Sequence, residues 1–127
     1  MDKITCGRVI SKVDDLMPNQ YPEADKIAWL SSLDGKIFDE LILTHEHPHW
    51  IHYEKHTTAT DELLIQEPYG MDIYVPYLQA QIAKNNFESA KFNQFVQTYN
   101  SEYLNYVNWY NRKYMPLGAR FGNRVHF

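Results

Sequence analysis

The sequence predicts a mainly α-helical domain, and three observations lead to this prediction. Apolar residues recur at three- and four-residue spacings in four segments, which is the period of one face of an α-helix. Proline or paired asparagine residues separate these segments, where they would end a helix or turn the chain. The length of 127 residues and the apolar content of 44% allow one domain with a core. We therefore expect a single helical domain over residues 1–116 and an extended C-terminal arm over residues 117–127.

Two helices are predicted in the N-terminal third. The first is expected from Thr5, a good N-cap, to about Leu16. The second is expected from Pro22 to about Ile42. Its apolar stripe consists of Ile27, Leu30, Leu33, Ile37, Phe38, Leu41 and Ile42. The pair Asp34-Gly35 could form a hairpin turn, but its flanks lack strand alternation, so we keep the helix and accept a glycine cost of about 1 kcal/mol.

The other two helices are predicted to form an αα-hairpin. The third is expected over Ile73 to Lys84, with Pro76 tolerated because amides of a first helical turn lack intrahelical partners. Asn85-Asn86 is expected to be the turn. The fourth and longest helix is expected over Phe87 to Tyr114, and its stripe is typical of a core or a subunit interface. That stripe consists of Phe92, Phe95, Val96, Tyr99, Tyr103, Tyr106, Val107, Tyr110 and Tyr114.

The segment 44–71 between the second and third helices has no helical period. We expect either an extended loop or a small β-hairpin that pairs Trp50–Tyr53 with Leu63–Ile65. Connections of this length inside a compact domain are uncommon and often functional.

Composition and charge exclude several classes of protein. No stretch approaches the ~20 apolar residues that cross a bilayer, so we expect a soluble protein without membrane contact. The N-terminus lacks the apolar run of a secretory signal, and a single cysteine, Cys6, fits a reducing compartment. A net charge of −4 argues against a general nucleic-acid binder.

The charges are unevenly distributed along the chain. Residues 1–46 carry nine acids and five bases, whereas no acid follows Glu102 and four arginines or lysines do. These late cations could complement the C-terminal dipole of the last helix, or they could meet an acidic partner surface. The sequence leaves both interpretations open.

Five of the six histidines lie within residues 45–56. His45, Glu46 and His49 match the H-E-x-x-H pattern of zinc proteases, which requires a helix to present both imidazoles to one metal. Pro48 interrupts such a helix at a cost of about 3 kcal/mol, so we reject that interpretation. A metal site of His45, His47 and His49 on an extended segment remains an alternative, because alternating residues share one face.

No other pattern in the sequence indicates catalysis. Glycine-rich phosphate loops and nucleophile elbows are missing, and Cys6 has no identifiable base, so a small residue in a first helical turn explains it better. We therefore expect no enzyme activity, no cofactor and no catalytic residue.

The C-terminal arm combines apolar and basic residues. Phe121, Val125 and Phe127 are apolar in a segment too short to build its own core, and Arg120 and Arg124 alternate with them. The arm could pack on its own domain, or it could dock onto a neighbouring subunit by strand addition, which we prefer.

Three stretches together resemble a family of small phage proteins. They are Thr5-Cys6-Gly7 to Pro18-Asn19 with Trp29-Leu30 and Leu33-Asp34-Gly35; Asp61-Glu62-Leu63-Leu64-Ile65, Pro68-Tyr69, Ile73-Tyr74, Tyr77-Leu78 and Ala80-Gln81-Ile82; and Asn108-Trp109-Tyr110-Asn111-Arg112 with Met115-Pro116. This pattern resembles the head–tail connector (adaptor, or head-completion) family of tailed phages and prophages of Gram-positive bacteria. The His-rich segment and Pro76 depart from it.

The resemblance implies a structural subunit of the virion, made in the bacterial host cytoplasm and located at the head–tail junction. It implies a homo-oligomeric ring, expected to be a dodecamer, between the portal protein and a neck, stopper or tail protein. Double-stranded DNA would pass through the ring without sequence recognition. We expect the partner interface at Tyr69, Trp109, Arg120, Phe121, Arg124, Val125 and Phe127. The alternatives are another neck or tail-completion protein, and a small metal-binding protein or metalloenzyme that uses the His45–His56 cluster.

Overall fold

Four α-helices form the structure, and the prediction of a mainly α fold is confirmed. The computed structural model describes residues 3–46 and 51–117. Helix α1 spans Cys6–Leu16, α2 spans Glu23–Ile37, α3 spans Gly70–Asn85 and α4 spans Ser89–Lys113. No helix in these described ranges is long and apolar enough to cross a membrane.

The first two helices begin and end close to their predicted bounds. The Thr5 hydroxyl oxygen accepts a hydrogen bond from the backbone amide of Arg8 at 3.2 Å, which caps α1 as predicted. A π-helical turn, Phe38–Ile42, continues α2 without a break and closes with the Leu43 amide on the Phe38 carbonyl at 2.9 Å. The wide turn allows the consecutive side chains Leu41 and Ile42 both to be buried.

Helix α3 begins three residues earlier than predicted, so Pro76 lies inside it and not in its first turn. That expectation was wrong because the start of α3 is set by packing at Gly70. A Cβ there would lie 2.3 Å from the Ile65 carbonyl oxygen and 2.5 Å from Ile4 Cδ1. Pro76 has no amide hydrogen, so it cannot make the usual i to i−4 hydrogen bond to the Asp72 carbonyl. The Pro76 ring itself is buried.

Helices α3 and α4 pack along each other as the predicted αα-hairpin, and α1 and α2 pack against α3. The predicted aromatic stripe of α4 faces this core. Tyr99 stacks on Tyr103 with ring centroids 5.8 Å apart and contacts Tyr77 of α3 at 5.6 Å. The buried members of the α4 stripe are Tyr99, Tyr103, Tyr106, Val107 and Tyr110, whereas Phe92, Phe95, Val96 and Tyr114 are half-buried.

The connection between α2 and α3 contains no β-strand in its described residues. Of the two predicted alternatives, the structure therefore shows the extended loop and not the β-hairpin. Trp50 of the predicted hairpin lies outside the described residues. The Leu63 amide donates to the Ile4 carbonyl at 3.0 Å, and the Ile65 amide donates to the Tyr74 hydroxyl at 3.0 Å. Backbone of the N-terminus and a side chain of α3 therefore take the place of strand partners.

A buried carboxylate, Asp34 in the middle of α2, holds this connection in place. Asp34 is fully buried, and its Oδ2 accepts hydrogen bonds from His56 Nε2 at 2.7 Å and from the Leu64 amide at 3.0 Å. Its Oδ1 accepts a hydrogen bond from the Tyr74 hydroxyl. Buried charges are tolerated when every oxygen is hydrogen-bonded, as here. Burial and the nearby Asp34 charge raise the pKa of Tyr74 well above its usual value.

Substitution of Asp34 tests whether this carboxylate organises the connection. We expect Asp34→Ala to lower the free energy of unfolding by about 3–5 kcal/mol, because three buried donors lose their acceptor. Asp34→Asn keeps the shape and one acceptor oxygen, so its loss should be smaller. Denaturant unfolding with amide hydrogen exchange at Leu64 measures both effects. An Asp34→Ala protein as stable as the wild type, with Leu64 still protected, would contradict this role.

Two glycines in helices provide a matched pair. Gly70→Ala should destabilise the fold by about 3 kcal/mol, because its methyl group would overlap a backbone oxygen that cannot move aside easily. A Cβ at Gly35 would lie 3.4 Å from the Tyr53 ring, which is ordinary contact. Gly35→Ala should therefore raise the free energy of unfolding by up to about 1 kcal/mol. Thermal unfolding of both variants checks the opposite signs.

Candidate functional site

Two residues that the sequence assigns to a partner interface lie against each other, although they are far apart in the chain. Tyr69, just before α3, and Trp109, near the end of α4, have ring centroids 5.5 Å apart. Tyr106 contacts both rings, at 5.4 Å from Tyr69 and 5.6 Å from Trp109. Tyr106 is buried, whereas Tyr69 and Trp109 are half-buried and reach the surface.

A cation completes this surface. Lys113 Nζ lies 5.0 Å from the centroid of Trp109 and 5.5 Å from that of Tyr114, distances typical of cation–π contacts. Arg112 and Lys113 also lie in the last turn of α4, where cations complement the helix dipole. We call Tyr69, Trp109, Lys113 and Tyr114 the C-terminal aromatic surface. Tryptophan and tyrosine are enriched among the residues that contribute most of the binding energy of protein interfaces.

The chain leaves the domain beside this surface, toward the C-terminal arm. Met115 is 67% exposed and Leu117 is 54% exposed. The Leu117 amide donates to the Thr44 carbonyl at 2.7 Å, and the Glu46 amide donates to the Met115 carbonyl at 2.8 Å, which fixes the start of the arm. The predicted interface residues Arg120, Phe121, Arg124, Val125 and Phe127 lie outside the described residues, so the docking of the arm stays a prediction.

The His45 ring is held by contacts within the fold. It is buried, its Nδ1 lies 2.8 Å from the Leu41 carbonyl oxygen, and its Nε2 lies within hydrogen-bond distance of Asn111 Oδ1. Its ring also contacts Tyr110 edge-on at 5.0 Å. Both ring nitrogens thus have protein partners that a metal ion would have to displace.

The other parts of the alternative metal site are not placed. His47 and His49 lie outside the described residues, and the described ranges contain no group of three or more potential metal ligands. The helical turn before the motif ends at Ile42, and His45 and Glu46 are not helical, whereas the protease pattern requires a helix.

The sequence-based predictions do not include the buried pair of Asp34 and His56. They treat Asp34 as part of a possible turn with Gly35, yet Asp34 lies four residues after Leu30 and three before Ile37, on the apolar face. That spacing is the signal that could have found it. His56 enters these predictions only as a member of the histidine cluster. Cys6 is buried beside this network, and burial with the Asp34 charge raises its pKa to about 12, so the thiol stays protonated at neutral pH.

Comparison with known proteins gives no relative on which to rest a function. No family model, no curated protein and no solved structure matches the chain. A functional proposal must therefore come from the residues and their arrangement.

The buried hydroxyls of the aromatic stripe predict the response to alkali. Burial raises the pKa of Tyr110 to about 12 and those of Tyr99, Tyr103 and Tyr106 further. In the unfolded chain these phenols ionise near pH ~10, so the folded protein binds more protons above that pH. Below about pH 9 these tyrosines leave the free energy of unfolding unchanged, and above it each buried tyrosine lowers that free energy by up to about 1.4 kcal/mol per pH unit. Circular dichroism and tyrosinate absorbance should change together.

Two tyrosine-to-phenylalanine variants separate the hydroxyls by their partners. The Tyr110 hydroxyl is buried and has no hydrogen-bond partner in the described part of the chain, so Tyr110→Phe should not lower stability at neutral pH. It should also make the alkaline loss shallower. Tyr74→Phe removes the bonds to Asp34 and Ile65 and should cost about 1–3 kcal/mol. Equal losses in the two variants would contradict this interpretation.

Proposed function

We propose that this chain is a structural subunit of a tailed-phage virion, a head–tail connector that assembles as a ring. In this proposal the ring, a dodecamer, lies between the portal protein and a neck, stopper or tail protein. It extends the channel through which double-stranded DNA passes without sequence recognition. No catalytic step and no cofactor belong to the proposal.

One observation carries the proposal beyond the sequence resemblance. Tyr69 and Trp109 come from two separate stretches of the resemblance, and they form one half-buried aromatic surface. Both rings pack against the core on one side and stay accessible on the other, beside the start of the arm. Surfaces of this composition are typical of protein–protein contacts.

The charge distribution supports the same proposal. The net charge of −4 disfavours adhesion to DNA phosphates, which suits a channel through which DNA moves. The cations Arg112 and Lys113 lie at the C-terminal end of α4, beside the aromatic surface, and the N-terminal third is acidic. Opposite charges on different parts of one subunit favour head-to-tail contact between subunits.

The first test is the state of the purified protein. We expect light scattering coupled to size exclusion to show association that increases with concentration, and electron microscopy to show rings with a central channel. Deletion of residues 118–127 keeps the bond between Leu117 and Thr44, so this variant should fold but lose ring formation. A protein that remains monomeric at its highest soluble concentration would contradict the proposal.

A matched pair of tryptophan variants tests the aromatic surface. Trp109 and Trp29 are both half-buried. Trp29 does not belong to the C-terminal aromatic surface, and its ring centroid lies 5.7 Å from that of Tyr21. Trp109→Ala and Trp29→Ala should lose similar stability in thermal unfolding, but only Trp109→Ala should weaken assembly, by about tenfold or more. Equal effects on assembly would argue against the surface. Stoichiometric zinc or nickel that is lost on substitution of His45, His47 and His49 would instead favour the metal-binding alternative.

A further inference from the structure

The turn between α3 and α4 has an aromatic residue where helices usually place glycine. The Phe87 amide donates to the Lys84 carbonyl at 3.2 Å, and the Glu88 amide donates to the Ala83 carbonyl at 2.9 Å. These two bonds are the Schellman motif, whose C′ residue adopts a left-handed conformation. Phe87 has φ = 59° and is the one residue other than glycine with positive φ among those described. Any side chain with a Cβ is strained there.

Among the described residues, the Phe87 side chain finds almost no contact that would offset this strain. It is 92% exposed, more than any other large apolar side chain in the described ranges. Strained residues persist where the surrounding structure holds them, and they cluster at functional positions. An aromatic ring held at the tip of a rigid hairpin has the geometry of an anchor for another molecule.

A groove of suitable size lies on the outer side of the same hairpin, between α1, α3 and α4. It has a volume of about 360 Å³, and its apolar lining consists of Met71, Val75, Pro76 and Phe95. Phe87 is not among its lining residues. Grooves of this volume with a few polar groups at the edge are typical of binding sites.

The hairpin tip and the groove have opposite charges. Lys84 and Lys91 stand beside Phe87 with a single carboxylate, Glu88, so the tip has a charge of +1. The groove is lined by Asp72 and Glu102 against a single cation, Lys12, which gives −1. Lys91 pairs with Glu88 at 3.0 Å within the tip, and the exposed Lys84 therefore supplies the excess positive charge. Complementary charges favour docking of this tip into this groove.

We propose that Phe87 of one copy inserts between Val75 and Phe95 in the groove of the next copy. The two contact surfaces differ, so the association is heterologous, and repetition with a constant rotation gives a ring or a filament. The inference rests on the self-assembly in the proposed function and adds the residues that join one subunit to the next. The occupant of the groove is a second copy of this chain, because the Phe87 tip, the groove and their opposite charges are all present on one chain.

Substitution of Phe87 gives a result that a structural role could not give. Phe87→Gly removes the left-handed strain, so the thermal midpoint of the subunit should rise. The same variant should lose association by about tenfold or more, because the anchor is gone. Leu104→Ala, an exposed apolar residue of α4 outside the groove and the tip, is the control and should leave association unchanged. A Phe87→Gly protein that associates like the wild type would overturn the inference.

Mixing two defective variants tests that the contact is heterologous. Thr98→Lys adds a positive charge at the groove, which cancels its net negative charge and repels Lys84 of an incoming tip, and should block assembly when alone. A mixture of Phe87→Gly and Thr98→Lys retains one intact groove and one intact tip, so it should yield a species of twice the subunit mass. A symmetric contact would need both surfaces on both copies, and the mixture would then stay monomeric.

Cross-linking locates the contact directly. Ser89→Cys, at the tip, leaves Phe87 intact, and Gln79→Cys lies at the groove. Oxidation of the mixture should give a disulfide-linked dimer that disappears when Phe87→Gly is added to the Ser89→Cys chain. Ser32→Cys, exposed on α2, replaces Gln79→Cys in the control and should not cross-link.

The outcomes distinguish this inference from the proposed function. If the wild type forms rings but the Ser89→Cys and Gln79→Cys chains do not cross-link, the inference fails and the connector proposal stands. If deletion of residues 118–127 abolishes association while Phe87→Gly does not, the arm makes the contact and the inference is likewise overturned. If the wild type does not associate at all, both fail.

Discussion

The buried carboxylate of Asp34 is the interaction on which the rest of the structure depends. It lies in the middle of α2, and it accepts hydrogen bonds from His56, Leu64 and Tyr74, which belong to the long connection and to α3. Without these bonds the connection would need strand partners or water for its amides. One side chain thus ties the connection and α3 to α2, and its burial is tolerated because both oxygens are hydrogen-bonded.

The α3–α4 hairpin builds on that frame and has a different source of stability. Its tyrosine stripe contributes large apolar area, and ring contacts of 5.6–6.4 Å run from Tyr77 through Tyr99, Tyr103 and Tyr106 to Tyr110. Two of the hydroxyls, those of Tyr103 and Tyr110, are buried and have no hydrogen-bond partner within residues 3–46 and 51–117, which indicates that ring packing outweighs polar satisfaction here. The hairpin is therefore rigid enough to present groups at both ends, with Trp109 near one end and Phe87 at the other.

The two ends of the α3–α4 hairpin offer two separate surfaces for contacts with other molecules. The C-terminal aromatic surface lies where the chain enters the arm, and it offers half-buried rings with an adjacent cation. The Phe87 tip offers a single exposed ring at the cost of backbone strain. In a ring, a subunit needs contacts to its neighbours. The tip with its groove and the aromatic surface beside the arm both fit this need, from opposite ends of the hairpin.

The sequence by itself determined the helices, because apolar spacing in Val9–Val13, Ile27–Ile42 and Tyr99–Tyr110 sets which face is buried. The sequence also placed the turn at Asn85-Asn86, and it predicts Tyr69 and Trp109 as residues of a partner interface. Only the tertiary structure decided that Asp34 would be a buried acceptor, that α3 would begin at Gly70 and that Phe87 would adopt a left-handed conformation. Each of these features depends on contacts that local propensity does not encode. They are the amide of Leu64 for Asp34, the Ile65 carbonyl for Gly70, and the turn that joins α3 to α4 for Phe87.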